Sequence, residues 1–158
     1  MWLANTRVNL ALLEYIDPNM LKAQTPGGGY SVAQHLAHIT AACKYWAMKI
    51  GSEELKDLPN LFTGELEDLV ALEDLDDFIV EYDLERIKKV MAKTYNGILD
   101  LAETAHTKGE LPHYSIDAYL IHMMIHHGHH RGMIMLALKT SAYSLPDDSK
   151  MWGPLRGA

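Results

Sequence analysis

The segment that decides the fold is residues 116–139, with the sequence IDAYLIHMMIHHGHHRGMIMLALK. Its apolar residues recur every three or four positions, which is the spacing of an α-helix. Ser115 precedes the segment and is a residue type that commonly caps the first turn of a helix. The segment therefore predicts one long helix over 116–139.

Three other segments show the same periodicity, at about residues 3–15, 32–50 and 84–105. Ser31 and Gln34 have the spacing of a capping box, which predicts the start of the second helix. No segment alternates apolar and polar residues for long enough to predict a strand. The predicted fold class is all-α, a four-helix bundle.

The connections between these helices differ in length. Residues 51–82 are acidic and predict a long connection with one or two short helices, one of them at about 65–72, whereas 106–113 predict a short loop. Short loops favour antiparallel neighbours, and the long connection permits a crossover that would make helices two and three parallel.

A single domain over residues 1–145 is expected from the chain length. The tail, residues 146–158, contains two prolines and two glycines and is predicted to be irregular.

The bulk composition excludes several classes of protein. The chain has 158 residues and a net charge of −7 with histidines neutral, without a basic block, which disfavours binding to nucleic acid or an anionic membrane. No segment is apolar enough for a membrane span, and residues 1–7 lack the pattern of a signal peptide. One cysteine excludes an internal disulfide. We therefore expect a cytoplasmic protein.

Histidines are concentrated in the last long helix, where five of the nine lie between residues 122 and 130. His126 and His130 are four residues apart, so their side chains share one helix face and can reach one ion. In the second predicted helix, His38 lies among small and apolar residues, as a side chain pointing into a bundle core should. His35 is predicted to lie nearer the edge. His38, His126 and His130 together would form a three-nitrogen metal site.

Three neutral imidazoles suit Zn²⁺, Ni²⁺ and other divalent transition metals, and they leave coordination positions open for water or substrate. A single helix histidine is more often a surface or core residue than a ligand. The role of His122 stays open between a fourth ligand, a hydrogen-bond partner of a ligand and a core residue, and His129 is a second candidate partner.

Two motifs resemble the DinB/YfiT-like metalloenzyme superfamily. Residues 126–134, HHGHHRGMI, are similar to its last-helix motif, and residues 31–39, SVAQHLAHI, are similar to its second-helix segment. The resemblance implies an up-down-down-up bundle, usually dimeric, whose metal ligands correspond here to His38, His126 and His130. It also implies zinc or nickel, and a thiol S-transferase activity with a low-molecular-weight thiol in some relatives. Met133 departs from the family pattern, which usually has glutamine there.

Several other side chains have competing interpretations. Tyr119 lies seven residues before His126 and Tyr45 lies seven residues after His38, so either could line the pocket as a proton donor, although core aromatics are the more frequent case. Cys43 is predicted to be a packing residue. Arg131 is predicted to point away from the ligands and to pair with an acidic residue, in its own chain or across a dimer interface.

Three functions follow from these observations. The first is a metal-dependent transferase or hydrolase acting on a small molecule, in which the metal activates a thiol or water. The second is a non-catalytic metal-binding or metal-buffering protein, with additional histidines completing the coordination. The third is a metal-free interaction module. A homodimer is expected in the first case from the family resemblance.

Overall fold

A computed structural model describes residues 1–52, 55–64, 79–108 and 115–156. The described residues form five α-helices, of which four are long, and a short 3₁₀ turn at Met20–Lys22. The helices are α1 (Trp2–Tyr15), α2 (Val32–Lys49), α3 (Leu84–Lys108), α4 (Ile116–Thr140) and α5 (Asp148–Arg156). The prediction of an all-α fold is confirmed, and the helix bounds agree closely with the apolar periodicity.

Helices α2 and α4 begin where the sequence predicts capping side chains. The Ser31 hydroxyl accepts a hydrogen bond from the Gln34 backbone N–H, and the Gln34 side chain accepts one from the Ser31 backbone N–H. Ser115 accepts from the backbone N–H of Ala118 in the same way. Such caps satisfy N–H groups that have no partner within the helix, so each start is defined locally.

The core is shared by the four long helices. Its largest fully buried side chains include Leu12 and Leu13 of α1, Leu36 and Ile39 of α2, Ile87 and Tyr95 of α3, and Tyr119 of α4. The Trp2 indole N–H donates to the Tyr95 carbonyl at 3.1 Å and so joins α1 to α3. Helix α2 packs along α4, which brings the helix of His35 and His38 against the helix that carries five histidines.

The connection after α2 is held against the bundle by a buried lysine. The Lys44 ammonium donates to the Leu58 carbonyl and, at 2.7 Å, to the Asn60 side chain. The short helix predicted at 65–72 lies outside the described residues, as does most of the predicted loop that follows α3. Helix α3 itself continues to Lys108, three residues past the predicted end.

The prediction of an irregular tail is wrong for Asp148–Arg156, which form α5. The Asp147 carboxylate accepts hydrogen bonds from the backbone N–H and hydroxyl of Ser149, at 2.6 and 2.5 Å. Met151 is buried, and α5 packs on α1. Tertiary burial thus outweighs the poor helix propensity of this segment.

Within the described part of the chain, none of the helices combines the length and apolar character needed to cross a bilayer. The cytoplasmic location stays a prediction.

Candidate metal centre

Helix α2 places two histidines inside the bundle. His35 and His38 are both buried, each with 3% of its surface exposed. They lie on the first two turns of α2 after the Ser31 cap, so the start of the helix fixes the position of each ring relative to α4. The prediction that His35 lies near the edge is wrong, because the ring packs between Tyr30, 5.2 Å away, and His130, 5.1 Å away.

Helix α4 supplies the other two rings from consecutive turns. His130 is buried and His126 is partly buried, and their ring centroids lie 4.5 Å apart. This is the expected consequence of a four-residue separation on a helix. The two imidazoles therefore face α2 together.

The three predicted ligands converge. The Nε2 atom of His126 lies 3.1 Å from Nε2 of His38 and 3.2 Å from Nε2 of His130. Among the described residues, these three side chains are the group whose ligand atoms, all within 4.8 Å of one another, could hold one ion. Two nitrogens bound to a tetrahedral zinc at about 2.0–2.1 Å lie roughly 3.3 Å apart. The observed separations fit a single divalent ion.

A cavity of about 370 Å³ opens directly onto the triad. Besides the triad, the described residues that line it are Thr25, Gly29, Tyr30, His35, His129 and Met133. None of these carries a carboxylate, an ammonium or a guanidinium group. The cavity has the volume of a small-molecule site, and its wall adds no negative charge beside the triad.

The protein environment keeps the α4 ligands neutral. Burial, with a smaller contribution from neighbouring imidazoles, lowers the pKa of His126 to about 4 and that of His130 to about 2. Both rings are therefore neutral at pH 7, and each has one unprotonated nitrogen whose lone pair can bind a cation. Such lowered values are common where protein groups converge on a functional site.

Comparison with known proteins identifies the family of the chain. The sequence model of the DinB family matches residues 1–146. The chain belongs to the DinB family. No curated protein and no solved structure matches the chain.

In this DinB-family chain His127, which follows His126 on α4, lies beside the triad in a separate polar network. His127 is fully buried, and its Nδ1 atom lies 3.0 Å from the Asn5 amide nitrogen and 3.1 Å from that of Asn9. Its Nε2 atom lies 3.3 Å from the Cys43 thiol. Both ring nitrogens are therefore occupied by protein groups, and His127 faces away from the cavity.

Arg131 determines the orientation of the two asparagine amides in this network. Its guanidinium donates to the side-chain oxygens of Asn5 at 2.8 Å and Asn9 at 2.6 Å. Because a guanidinium only donates, each amide nitrogen must turn toward His127, whose Nδ1 accepts and whose proton lies on Nε2. Within the described residues of one chain Arg131 meets amide oxygens of α1 and no acidic residue, and an acidic partner across a dimer interface stays a prediction.

The other predicted site residues occupy different positions. His122 packs its ring edge-on against Trp46 at 4.8 Å and lies 6.4 Å from the His126 ring. His129 is exposed and lies at the rim of the cavity, 5.1 Å from the His130 ring. Among the described residues, neither belongs to the group of side chains whose ligand atoms could hold one ion.

The two tyrosines are not brought to the cavity. The Tyr119 hydroxyl is buried and donates to the Cys43 carbonyl at 3.0 Å. Tyr45 stacks edge-on with Trp46, and the Lys49 ammonium lies 5.0 Å above its ring. Neither tyrosine is among the described residues that line the cavity beside the triad.

Sequence reasoning missed the contribution of the loop before α2. Thr25, Gly29 and Tyr30 line the cavity, and the loop is closed by hydrogen bonds between Thr25 and Tyr30. Gly29 is required there, because a Cβ atom would lie 2.1 Å from the Thr25 hydroxyl. The sequence signal was present in the run of glycines at 27–29, but nothing in it indicates that the loop covers a site on α4.

Proposed function

We propose that this protein binds one divalent transition metal, zinc or nickel, through His38, His126 and His130 and acts as a metal-dependent enzyme on a small molecule. The observation that carries the proposal is the convergence of three Nε2 atoms, 3.1 and 3.2 Å apart in the two pairs that share His126, at the wall of a cavity of about 370 Å³. Three protein ligands leave positions open on the cavity side, which is typical of catalytic rather than structural sites.

A bound divalent metal would supply Lewis acidity that lowers the pKa of a water or thiol ligand toward neutrality. The chain's own residues hold the ion, exclude protons from the ligand nitrogens by burial, and shape the space for the substrate. The apolar wall at Met133 and the aromatic ring of Tyr30 favour a substrate with an apolar part. The DinB family resemblance favours a low-molecular-weight thiol as one substrate, and hydrolysis is the alternative reaction.

The proposal includes the up-down-down-up order of the long helices, which the packing of α2 along α4 supports. It also includes a homodimer. The outer face of α4 exposes Ile121, Ile125 and Leu136, with 48%, 69% and 40% of their surfaces accessible. Exposed apolar side chains on one helix face are typical of a protein interface.

Metal content is the first test of the function. Protein purified without a nickel column should contain close to one zinc or nickel per chain, and His126→Ala should contain almost none. His106→Ala, which removes an exposed histidine of α3, is the matched control and should retain the metal. A wild-type protein without metal, even after reconstitution, would refute the proposal.

Coordination and activity distinguish an enzyme from a metal buffer. X-ray absorption should show three imidazoles and bound solvent, and the loaded protein should accelerate thiol transfer to a chromogenic electrophile or hydrolysis of an activated ester. Complete coordination by protein side chains, or several metals per chain, would favour the buffer instead.

Sedimentation tests the dimer separately. Ile125→Glu should shift the protein from dimer to monomer, whereas Leu3→Glu, also at an exposed apolar position, should not. A monomeric wild-type protein would exclude this part of the proposal and leave the metal site unaffected.

A further inference from the structure

His35 is a buried histidine outside the triad that touches one of its members. Its Nδ1 atom lies 2.9 Å from Nδ1 of His130, and the two rings are tilted by 59° with centroids 5.1 Å apart. At that distance the two nitrogens form a hydrogen bond only if one ring carries a proton there and the other does not.

The triad geometry determines which ring donates. Nε2 of His130 is the atom that converges with His126 and His38, so it must be unprotonated when it binds a cation. A neutral imidazole then carries its proton on the other nitrogen, Nδ1. His130 therefore donates through Nδ1–H, and Nδ1 of His35 accepts.

We propose that His35 is a positioning residue for the metal ligand His130, holding that ring by a hydrogen bond from Nδ1–H of His130 to Nδ1 of His35. The inference rests on the proposed metal site. Ligand histidines commonly donate their second N–H to an acceptor that orients the ring and raises its basicity. Here the acceptor is a neutral ring, so it adds no negative charge to the wall of the cavity.

Two further contacts support this role. Helix α2 holds His35 in place through the hydrogen bond from its backbone N–H to the Ser31 carbonyl, at 2.9 Å, and Tyr30 packs on the ring. By contrast, Nδ1 of His126 is buried and has no hydrogen-bond partner among the described residues. Within the α4 pair, His130 is therefore the ligand whose orientation another side chain determines.

The same hydrogen bond assigns a tautomer to His35. With Nδ1 accepting, the proton of His35 lies on Nε2, which is buried and unpartnered among the described residues. Proton–nitrogen correlation spectra of the zinc-loaded wild-type protein should show His130 protonated at Nδ1, and His35 protonated at Nε2 and bare at Nδ1. The opposite tautomer at His35 would overturn the proposal without any mutation.

Zinc affinity, measured by competition with a chromogenic chelator, tests the same bond. His35→Phe keeps the ring but removes the acceptor and should weaken zinc binding roughly 10-fold to 100-fold. His35→Asn places an amide oxygen near the Nδ1 position and should restore most of the affinity. His106→Phe should bind zinc as the wild type does.

The outcomes separate this proposal from the function. If the wild type binds zinc and His35→Phe binds it equally well, His35 has no positioning role and the metal site stands. If the wild type binds no metal, both proposals fail. Should His35→Phe not fold, as judged by circular dichroism, the tautomer spectra of the wild type decide.

Discussion

His126 and His127 are neighbours in sequence on one helix, yet they belong to two regions with opposite chemistry. Nε2 of His126 converges with two other imidazoles at the wall of a cavity. His127 is completely buried, and both its nitrogens meet protein groups of α1 and α2. In the first region three imidazoles present ring nitrogens to a point where a cation can bind, and in the second region both nitrogens of the ring already have protein partners.

The difference shows that histidine density alone does not identify a ligand. Both regions lower the pKa of their histidines, and burial is the largest cause in each. What distinguishes them is whether the protein supplies hydrogen-bond partners for both ring nitrogens. In the network of His127, Asn5, Asn9, Cys43 and Arg131, both ring nitrogens of His127 and both asparagine amides have partners, and these buried hydrogen bonds stabilise the fold.

The largest expected effect separates the two regions by metal affinity. His130→Ala removes one of three ligands and should weaken zinc binding by at least roughly 100-fold, the upper end of losses seen for outer hydrogen-bond partners. His127→Phe should change zinc affinity only a few-fold. Chelator competition on both variants measures this, and equal losses would show that the regions are not distinct.

The second expected effect is a loss of stability when the polar network around His127 is disrupted. Asn9→Leu leaves the Arg131 guanidinium, Nδ1 of His127 and the Tyr95 hydroxyl each short of a partner. We expect a loss of about 2–3 kcal/mol in the free energy of unfolding, because buried groups would be left unsatisfied. Urea unfolding measures it, with the exposed Asn19→Leu as the control. A loss no larger than that of the control would contradict the network's role.

The free energy of unfolding of the metal-free protein should depend on pH through the histidines at and beside the triad. The unfolded chain protonates its histidines near the ordinary pKa of 6.5, whereas His35 and His126 in the folded protein do so only at about 4. Between these values the unfolded state binds more protons, so the free energy of unfolding should fall as pH falls from 6.5 toward 4.

Urea midpoints across that interval measure the slope. His126→Phe should reduce it, because one depressed pKa is removed, and His106→Phe serves as the comparison variant. A wild-type slope no steeper than that of His126→Phe would contradict the expected contribution.

The smallest effect concerns Cys43. Its thiol is buried, burial raises its pKa, and the neighbouring Nε2 of His127 carries a proton rather than accepting one. The thiol should therefore react with a disulfide reagent only after unfolding, and Cys43→Ala should leave zinc affinity unchanged. Rapid labelling of the native protein would show that this region opens.

Much of the fold followed from local patterns. The apolar period gave the four long helices within a few residues, and Ser31 with Gln34 predicted a capping box that the structure contains. The pair His126 and His130 followed from helix geometry alone. The tail helix was missed because its stability comes from Met151 packed against the bundle, which no local pattern shows.

The sequence determined which rings could meet, because residues four apart on a helix must share a face whatever surrounds them. Only the tertiary structure decided which nitrogens are left without protein partners. The hydrogen bonds from two asparagines of α1 to His127, and the contact of His35 with His130, depend on how α1 and α2 pack against α4. Hydrogen-bond partners more than ninety residues apart in the chain are chosen by packing, and that choice separates a candidate ligand from a structural histidine.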